Sequence, residues 1–363
     1  MRGRSARSAI IAVLLLGLVI FGSVYYAWHT ATDIFQPVSS GPGKVIPIQI
    51  TKGESTAQIA DDLQRKGLIR NALAFRVWAR IKGLDTQLQA GGYNHLNTSM
   101  TISDIIDQLL NASPDVFFVS IPEGYRIEQI ANAFAAAGLA KFNEQDFLNY
   151  TKHPAQFPDY NKYPILKAIP HNYGMEGLLF PATYDIPIDG TARDVVNRML
   201  TAFDDYVQQN NLVAKAQANH LTEYQMVILA SLVQREISNN RDAPGVAGVY
   251  YNRAMNTIPN DTAGYLGSDP SVEYARDTIN PPKQYWLPLQ DFGKNVAPNS
   301  PWNTYVNAGL PPTPICSPGL ATLSAAASPT KSDNFYFLST NKGTIVYAKT
   351  YQDFQKLEQQ YLH

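Results

Sequence analysis

One glutamate closes an apolar helical segment, where a carboxyl group can serve as both acid and base. Glu236 follows Leu229, Leu232 and Val233 by seven, four and three positions, which places it on their side of a helix. Ionising a carboxyl group beside a buried stripe is costly, and the negative end of the helix dipole adds to that cost. Both effects raise the pKa toward the range that suits a general acid near neutral pH. The same pattern also fits a solvated glutamate beyond a shorter helix, or one paired with a nearby arginine.

The helix that carries Glu236 has recognisable start and stop signals. Thr222 and Gln225 match the capping box S/T-x-x-E/Q, directly before an apolar run. Residues 227–237 contain no glycine or proline, so we expect the helix to continue to about Ser238, before the asparagine pair at 239–240.

A strand–turn–helix unit occurs twice upstream of this helix. Four pairs of identical residues are each separated by 71 positions: Gly53 and Gly124, Ile59 and Ile130, Gly67 and Gly138, and Leu68 and Leu139. A constant offset predicts a repeated structural unit, and a weaker third copy runs from Gly92 to Leu110. Such units resemble LysM-type modules, which bind N-acetylglucosamine polymers. A small α/β scaffold without affinity for sugar fits the pattern equally well.

An uncharged segment near the N-terminus has the length of a membrane span. Ala9 to Trp28 carries no charge, and about 20 helical residues cross a bilayer core of about 30 Å. Arg2, Arg4 and Arg7 precede this segment, so the positive-inside rule places residues 1–8 in the cytoplasm and the rest of the chain outside. A cleaved signal peptide is the competing interpretation, and it also sends the chain outside.

Composition and motifs argue against several other functions. The net charge of −1 does not suit a nucleic-acid partner. The six histidines lack metal-binding spacing, and the chain has no phosphate-binding loop or nucleophile elbow, so we expect neither a metal nor a cofactor. Cys316, the single cysteine, lies in a proline-rich segment with no histidine close by, which favours a packed residue over a catalytic thiol.

Seven segments resemble, in order, those of the endolytic murein transglycosylases, the YceG-like family. ILASLVQRE at 228–236 resembles the family's signature helix. The others are EGLLFPATY at 176–184, VYYNR at 249–253, SDPSVEY at 268–274, SPWNTY at 300–305, GLPPTPI at 309–315 and SPG at 317–319. The resemblance covers the whole chain, including the predicted anchor and the LysM-like region.

The resemblance implies that Glu236 is the catalytic residue of an endolytic lytic transglycosylase. This activity cleaves the β-1,4 bond between N-acetylmuramic acid and N-acetylglucosamine and leaves 1,6-anhydro ends, in a role that includes terminating nascent strands. The chain departs from the family pattern at Gln234, where a second acid is frequent, at Trp302, where tyrosine is usual, and at Thr313, where glycine is common. Residues 276–299 form a longer segment than is typical, and we expect it to shape one wall of a cleft.

Six residues within these segments are candidates for substrate contact. Asn252, Asn303, Thr304 and Tyr305 are candidates for hydrogen bonds to hydroxyl or acetamido groups, and Arg253 for binding a carboxylate of the substrate. Asp269 completes the six candidates. A purely structural role, without contact to substrate, fits each of these residues as well.

Two alternatives to a lytic transglycosylase stay open. The first is a two-carboxylate muramidase that uses Glu236 and Asp269. The second is a non-catalytic scaffold that binds peptidoglycan.

The expected architecture is α+β. It consists of a cytoplasmic tail at 1–8, a transmembrane anchor at 9–28, a linker at 29–44, a LysM-like module at 45–115 and a mixed α/β catalytic domain at 116–363. We therefore expect a single-pass protein of the cytoplasmic (inner) membrane with its catalytic domain outside. Its expected partners are peptidoglycan glycan strands, the membrane and peptidoglycan synthases.

Overall fold

The chain contains both helices and short, largely antiparallel strands, with a long run of helices between residues 192 and 327, which confirms the predicted α+β class. The computed structural model describes residues 34–362, except positions 42, 52, 85–86, 94, 112–115, 188, 256–259 and 342. The predicted tail, the predicted anchor and the start of the linker lie outside these residues. Within the described part of the chain, no helix is both long and apolar enough to cross a membrane. The chain divides into unit 1, residues 1–118, and unit 2, residues 119–363.

In the residues that the structure describes, unit 1 combines short antiparallel strands with three helices. Its elements are β1 (Ile48–Ile50), α1 (Thr56–Arg65), α2 (Ala72–Ile81), β2 (Gly91–Tyr93), α3 (Ile102–Asn111) and the start of β3 (Val116–Ser120). In the β1–β2 pair Ile48 lies opposite Tyr93, and Gly92 of β2 pairs with Val116 of β3. Side chains from β1, β2 and all three helices bury a common apolar core.

The predicted 71-residue repeat is confirmed by the helices themselves. Helix α1 spans Thr56–Arg65 and helix α4 of unit 2 spans Ile127–Ala136, so both ends differ by 71 positions. Gly53 and Gly124, in the turns that precede these helices, have φ angles of 88° and 80°. Glycine adopts this left-handed backbone without the steric cost that other residues carry, so the paired glycines mark equivalent turns.

Unit 2 is mainly helical. Its helices are α4, α5 (Glu144–Lys152), α6 (Ala192–Gln209), α7 (Leu212–Ala218), α8 (Glu223–Glu236), α9 (Ala243–Met255), α10 (Asp269–Ile279), α11 (Leu320–Ala327) and α12 (Tyr351–Tyr361). Its strands are the end of β3, β4 (Thr183–Pro187), which neighbours β3, and the antiparallel pair β5 (Tyr336–Ser339) and β6 (Ile345–Ala348). Five short 3-10 turns lie at 154–156, 160–162, 164–168, 240–242 and 293–295.

Helix α8 lies at the centre of unit 2. Every residue from Met226 to Val233 is buried, because α7, α9, α10 and α11 pack around the helix. The burial is therefore broader than the single apolar face that the spacing predicted. The capping box is confirmed, since Thr222 Oγ1 accepts a hydrogen bond from the Gln225 amide at 3.1 Å. The helix ends at Glu236, two residues earlier than predicted, because Ile237 already has an extended backbone.

Replacing Gly92 by alanine tests the pairing of β2 with β3. An added Cβ would lie 1.6 Å from the carbonyl oxygen of Val116, so the strands would have to separate. We expect the free energy of unfolding to fall by roughly 1–3 kcal/mol, measured by thermal denaturation of the full chain. Gly41→Ala is the matched control, because nothing lies within 4 Å of its added methyl group. Equal melting temperatures for the two variants would refute the pairing.

Candidate active site

The carboxyl group of Glu236 receives hydrogen bonds from two other elements of unit 2. Tyr250, on α9, donates from Oη to Glu236 Oε1 at 2.5 Å. Ser268, directly before α10, donates from Oγ to the same oxygen at 3.3 Å. Glu236 Oε2 has no hydrogen bond to a described residue, and no arginine or lysine in the described ranges forms an ion pair with this carboxyl group. The end of α8, the middle of α9 and the residue before α10 therefore meet at one half-buried glutamate.

The pKa of Glu236 is raised to about 7, chiefly by burial of the carboxyl group, and the negative charges of Asp269 and Glu273 act in the same direction. The hydrogen bonds from Tyr250 and Ser268 act in the opposite direction, because they stabilise the carboxylate. The glutamate as a whole residue is partly exposed to solvent, whereas its carboxyl group is surrounded by protein atoms. A carboxyl group with this pKa is present in both protonation states near neutral pH, so it can donate a proton and then accept one.

The phenol of Tyr250 is held in one position by packing. Its side chain is fully buried, and its ring meets the Phe337 ring edge-on at 5.5 Å. Burial raises the pKa of Tyr250 well above its ordinary value, so the hydroxyl group stays protonated and acts as a donor. Sequence reasoning missed this residue. The VYYNR segment contains two adjacent tyrosines, and Tyr251 donates instead to the carbonyl oxygen of Asn219.

Arg253 connects α9 to the neighbouring loops. Its Nε donates to the carbonyl oxygen of Phe335 at 2.5 Å, and its Nη1 donates to the carbonyl oxygen of Leu266. The guanidinium also lies 5.0 Å from the ring centre of Tyr336. These contacts position the loop that leads to Ser268, and the contact of Arg253 with a substrate carboxylate stays a prediction.

Asn252, Asn303 and Thr304 also use their polar atoms within the protein. The amide of Asn252 donates to the carbonyl oxygens of Ser332 and Asn334. Asn303 is fully buried, and its amide donates to the carbonyl oxygens of residues 293 and 296. Thr304 is also buried, and its Oγ1 accepts a hydrogen bond from the backbone amide of Ser268 at 2.9 Å. Of these three residues, Thr304 is the one bonded directly to Ser268, and contact of all three with substrate stays a prediction.

Asp269 and Tyr305 line an open cleft next to this centre. Tyr305 donates from Oη to Asp269 Oδ1 at 2.6 Å, and both side chains line a cavity of about 630 Å³. Residues 289–294 form the facing wall, where Phe292 is 77 % exposed. The 276–299 segment thus forms a cleft wall beside Asp269, the residue that follows Ser268. Of the predicted contact residues, these two are the ones that line this cleft.

Gln234 forms a link between three segments. Its Oε1 accepts from the Gly319 amide at 2.9 Å and from Thr322 Oγ1 at 2.8 Å, and its Nε2 donates to Glu123 Oε2 at 3.2 Å. An amide can donate and accept at once, whereas a carboxylate only accepts. Gln234 therefore suits a position that faces a carboxylate, and it supplies no second acid.

The other two departures from the family pattern contact each other. Trp302 Nε1 donates to Thr313 Oγ1 at 2.9 Å. The indole also meets the rings of Tyr173 and Tyr274 edge-on, each at 5.4 Å. A glycine at position 313 would offer no hydroxyl group for this hydrogen bond.

Two further expectations concern thiol and metal chemistry. Cys316 is fully buried, its Sγ lies 3.4 Å from the carbonyl oxygen of Ser231, and burial raises the pKa of its thiol. It is a packed residue, as predicted. The described ranges contain no group of three or more His, Cys, Asp or Glu side chains that would hold a metal ion.

Gln234→Glu tests the link to Glu123. The change removes a donor and brings two carboxylates together, so we expect unfolding to become easier by about 1–2 kcal/mol. Adding Glu123→Gln restores a donor and should recover most of the loss, as measured by denaturant unfolding of the single and double variants. If Gln234→Glu is as stable as the parent chain, the link is absent.

Comparison with known proteins places the chain in a family. The profile described as "YceG-like family" matches residues 48–360. An endolytic murein transglycosylase of Bacillus subtilis is 30% identical over 355 residues, covering 95% of this chain and 91% of that protein. An endolytic murein transglycosylase of Streptococcus pneumoniae is 29% identical over 366 residues, covering 96% of this chain and 64% of that protein. This chain thus spans less than two thirds of the Streptococcus relative.

A solved structure agrees with this assignment. The crystal structure of a YceG-like protein from Listeria monocytogenes superposes with a TM-score of 0.63 at 28% identity, covering 86% of this chain and 98% of that one. With the family profile matching residues 48–360, the chain belongs to the YceG-like family.

Proposed function

We propose that this chain is a lytic transglycosylase that cleaves peptidoglycan within its glycan strands. The observation that carries the proposal is a single carboxyl group, Glu236, with a pKa of about 7 and hydrogen bonds from Tyr250 and Ser268. The relatives from Bacillus and Streptococcus, named endolytic murein transglycosylases, support the same activity. The bond cleaved is the β-1,4 linkage between N-acetylmuramic acid and N-acetylglucosamine.

The first step is protonation of the leaving group. Protonated Glu236 donates its proton to the glycosidic oxygen, and the bond from that oxygen to the muramoyl C1 breaks. The bonding electrons leave with the oxygen, so C1 becomes oxocarbenium-like and Glu236 becomes a carboxylate. Tyr250 and Ser268 already donate to this carboxyl group, so the new negative charge is stabilised without rearrangement.

The second step closes the 1,6-anhydro ring. The Glu236 carboxylate accepts the proton of the muramoyl C6 hydroxyl group, and the C6 oxygen attacks C1. Glu236 is then protonated again, and no water is consumed. One carboxyl group near pKa 7 therefore suffices, whereas hydrolysis with inversion or retention uses a second carboxylate.

Asp269 is the observation that favours a second candidate, a two-carboxylate muramidase. Its negative charge raises the pKa of Glu236, and it lines the cleft with Tyr305. In a muramidase Asp269 would activate water or attack C1, and the product would carry a reducing end.

The N-terminal part of the chain supports a proposal for where the enzyme acts and how it holds its substrate. We propose that residues 9–28 anchor the chain in the cytoplasmic membrane, so that the catalytic domain acts outside the cytoplasm. The module at 45–115 would bind glycan strands in the manner of LysM units, and its strand–turn–helix unit of β1, the Gly53 turn and α1 supports this role. Action beside peptidoglycan synthases, where nascent strands end, fits an anchored enzyme of this kind.

Digestion of purified peptidoglycan by the full chain tests the activity. We expect mass spectrometry to find 1,6-anhydro-muramoyl ends, and Glu236→Gln to lower turnover by roughly 10²–10⁴-fold because the general acid is lost. Glu358→Gln, the same chemical change on α12, is the control and should keep full activity. Reducing ends that depend on Asp269 would establish the muramidase instead, and binding without cleavage would establish a scaffold.

The pH dependence of kcat/KM tests the electrostatics of the site. Glu236 must be protonated in the free enzyme, so we expect kcat/KM to fall as the pH rises above about 7. Asp269→Asn removes a negative charge that raises this pKa, so the alkaline limb of the profile should move to lower pH. Asp291→Asn, on the opposite wall of the cleft, is the control and should leave the limb in place. A limb that does not move with Asp269→Asn would exclude this coupling.

A further inference from the structure

Helix α2 of unit 1 carries an apolar stripe that the described chain leaves uncovered. Leu73, Val77 and Ile81 are 60 %, 43 % and 71 % exposed. They are spaced four residues apart, so they line one face of the helix. The opposite face buries Phe75 and Ala79 in the core of unit 1. Three large exposed apolar side chains on one helix face point to an interaction surface.

The stripe lies within a strongly basic stretch of a chain whose net charge is −1. Residues 65–82 include six basic residues and no acidic residue. Arg80 is exposed and lies three positions from Val77 on the helix, and Arg70, also exposed, lies two residues before the helix begins, near Leu73. Among the described residues, no acidic side chain pairs with either arginine. The face therefore combines apolar side chains with unneutralised positive charge.

The path of the chain brings this helix close to the proposed anchor. Phe35 packs on the core of unit 1, and its ring centre lies 5.8 Å from that of Trp78 on α2. Arg70 Nε also donates to the carbonyl oxygen of Pro37 at 2.8 Å. The predicted anchor ends at Trp28, and the seven residues from there to Phe35 reach about 25 Å at most. An anchor at 9–28 therefore keeps α2 near the bilayer surface.

We propose that the Leu73–Val77–Ile81 face of α2 docks on the anionic surface of the membrane. A helix with an apolar face and flanking basic residues lies in the plane of the interface, with its apolar side chains among the headgroups and upper acyl chains. Arg70 and Arg80 would meet the phosphates of anionic lipids. The proposal rests on the membrane anchor proposed above. The positive charge and the short tether favour lipid over a protein partner for the apolar stripe.

Site-directed spin labelling of the full chain in vesicles tests the docking. The single native cysteine, Cys316, is fully buried, so an introduced surface cysteine is labelled selectively. Leu73→Cys, Val77→Cys and Ile81→Cys are each labelled with a nitroxide in vesicles that contain phosphatidylglycerol. Asp61→Cys, at an exposed position on α1, is the matched control.

The measurement compares how accessible each nitroxide is to oxygen and to a water-soluble nickel complex. We expect the three stripe positions to shift toward oxygen, which concentrates in the bilayer, while Asp61→Cys stays accessible to nickel. The shift should be lost in vesicles of pure phosphatidylcholine, and also when the labelled chain carries the double substitution Arg70→Gln/Arg80→Gln. Arg65→Gln should keep it, because Arg65 already pairs with Asp62 at 3.0 Å.

Three results would overturn the proposal. The first is equal nickel accessibility at the stripe positions and at Asp61→Cys. The second is protection of the stripe that persists in detergent, which would assign the face to a second copy or another protein. The third is release of the chain from vesicles by alkaline carbonate, which would remove the anchor and the docking together. Peptidoglycan turnover, measured on the same preparations, reports separately on the function proposed for Glu236.

Discussion

The carboxyl group of Glu236 is taken out of water by the packing of unit 2, and the proposed chemistry depends on that desolvation. Helix α8 is buried from Met226 to Val233 because other helices surround it, and Glu236 at its end stays half-buried, with its carboxyl group crowded by protein atoms. Burial favours the neutral carboxylic acid, whereas the hydrogen bonds from Tyr250 and Ser268 favour the carboxylate. These opposed effects leave the group able to change its protonation state near neutral pH. A carboxyl group in bulk water would remain ionised there and would donate no proton.

The donors to Glu236 are themselves fixed by buried polar contacts. Thr304 Oγ1 accepts a hydrogen bond from the backbone amide of Ser268. The side-chain amide of Asn303 donates to the backbone carbonyl oxygens of residues 293 and 296 and so holds the loop that precedes it. Arg253 connects α9, which carries Tyr250, to the carbonyl oxygen of Leu266, two residues before Ser268. A truncation at any of these positions would leave buried donors or acceptors without partners, which is costly. The site is thus held by residues whose polar side-chain atoms form hydrogen bonds within the protein.

Local signals in the sequence were sufficient for some features and insufficient for others. The capping box at Thr222 and the placement of Glu236 at the end of α8 follow from spacing within one or two turns, and the 71-residue repeat follows from identical residues at one constant offset. The sequence did not predict the role of Tyr250. The packing of α9 against α8 decides that Tyr250, and not its neighbour Tyr251, donates to Glu236, and residue spacing does not reveal this packing. Asn303 and Thr304 belong to a family segment, but sequence alone does not separate a buried polar residue from one that lines a cleft. The pairing of Trp302 with Thr313 likewise needs the fold, since eleven positions separate two residues that depart from the family pattern together.

Direct titration of the Glu236 carboxyl group tests the central claim. The infrared difference spectrum between the parent chain and Glu236→Gln isolates the carbonyl band of one protonated carboxyl group, which is followed from about pH 4 to pH 9. The structure predicts a midpoint of about 7 for this band. A midpoint near 4.5, the ordinary value for glutamate, would mean that the carboxyl group is solvated and would contradict the account.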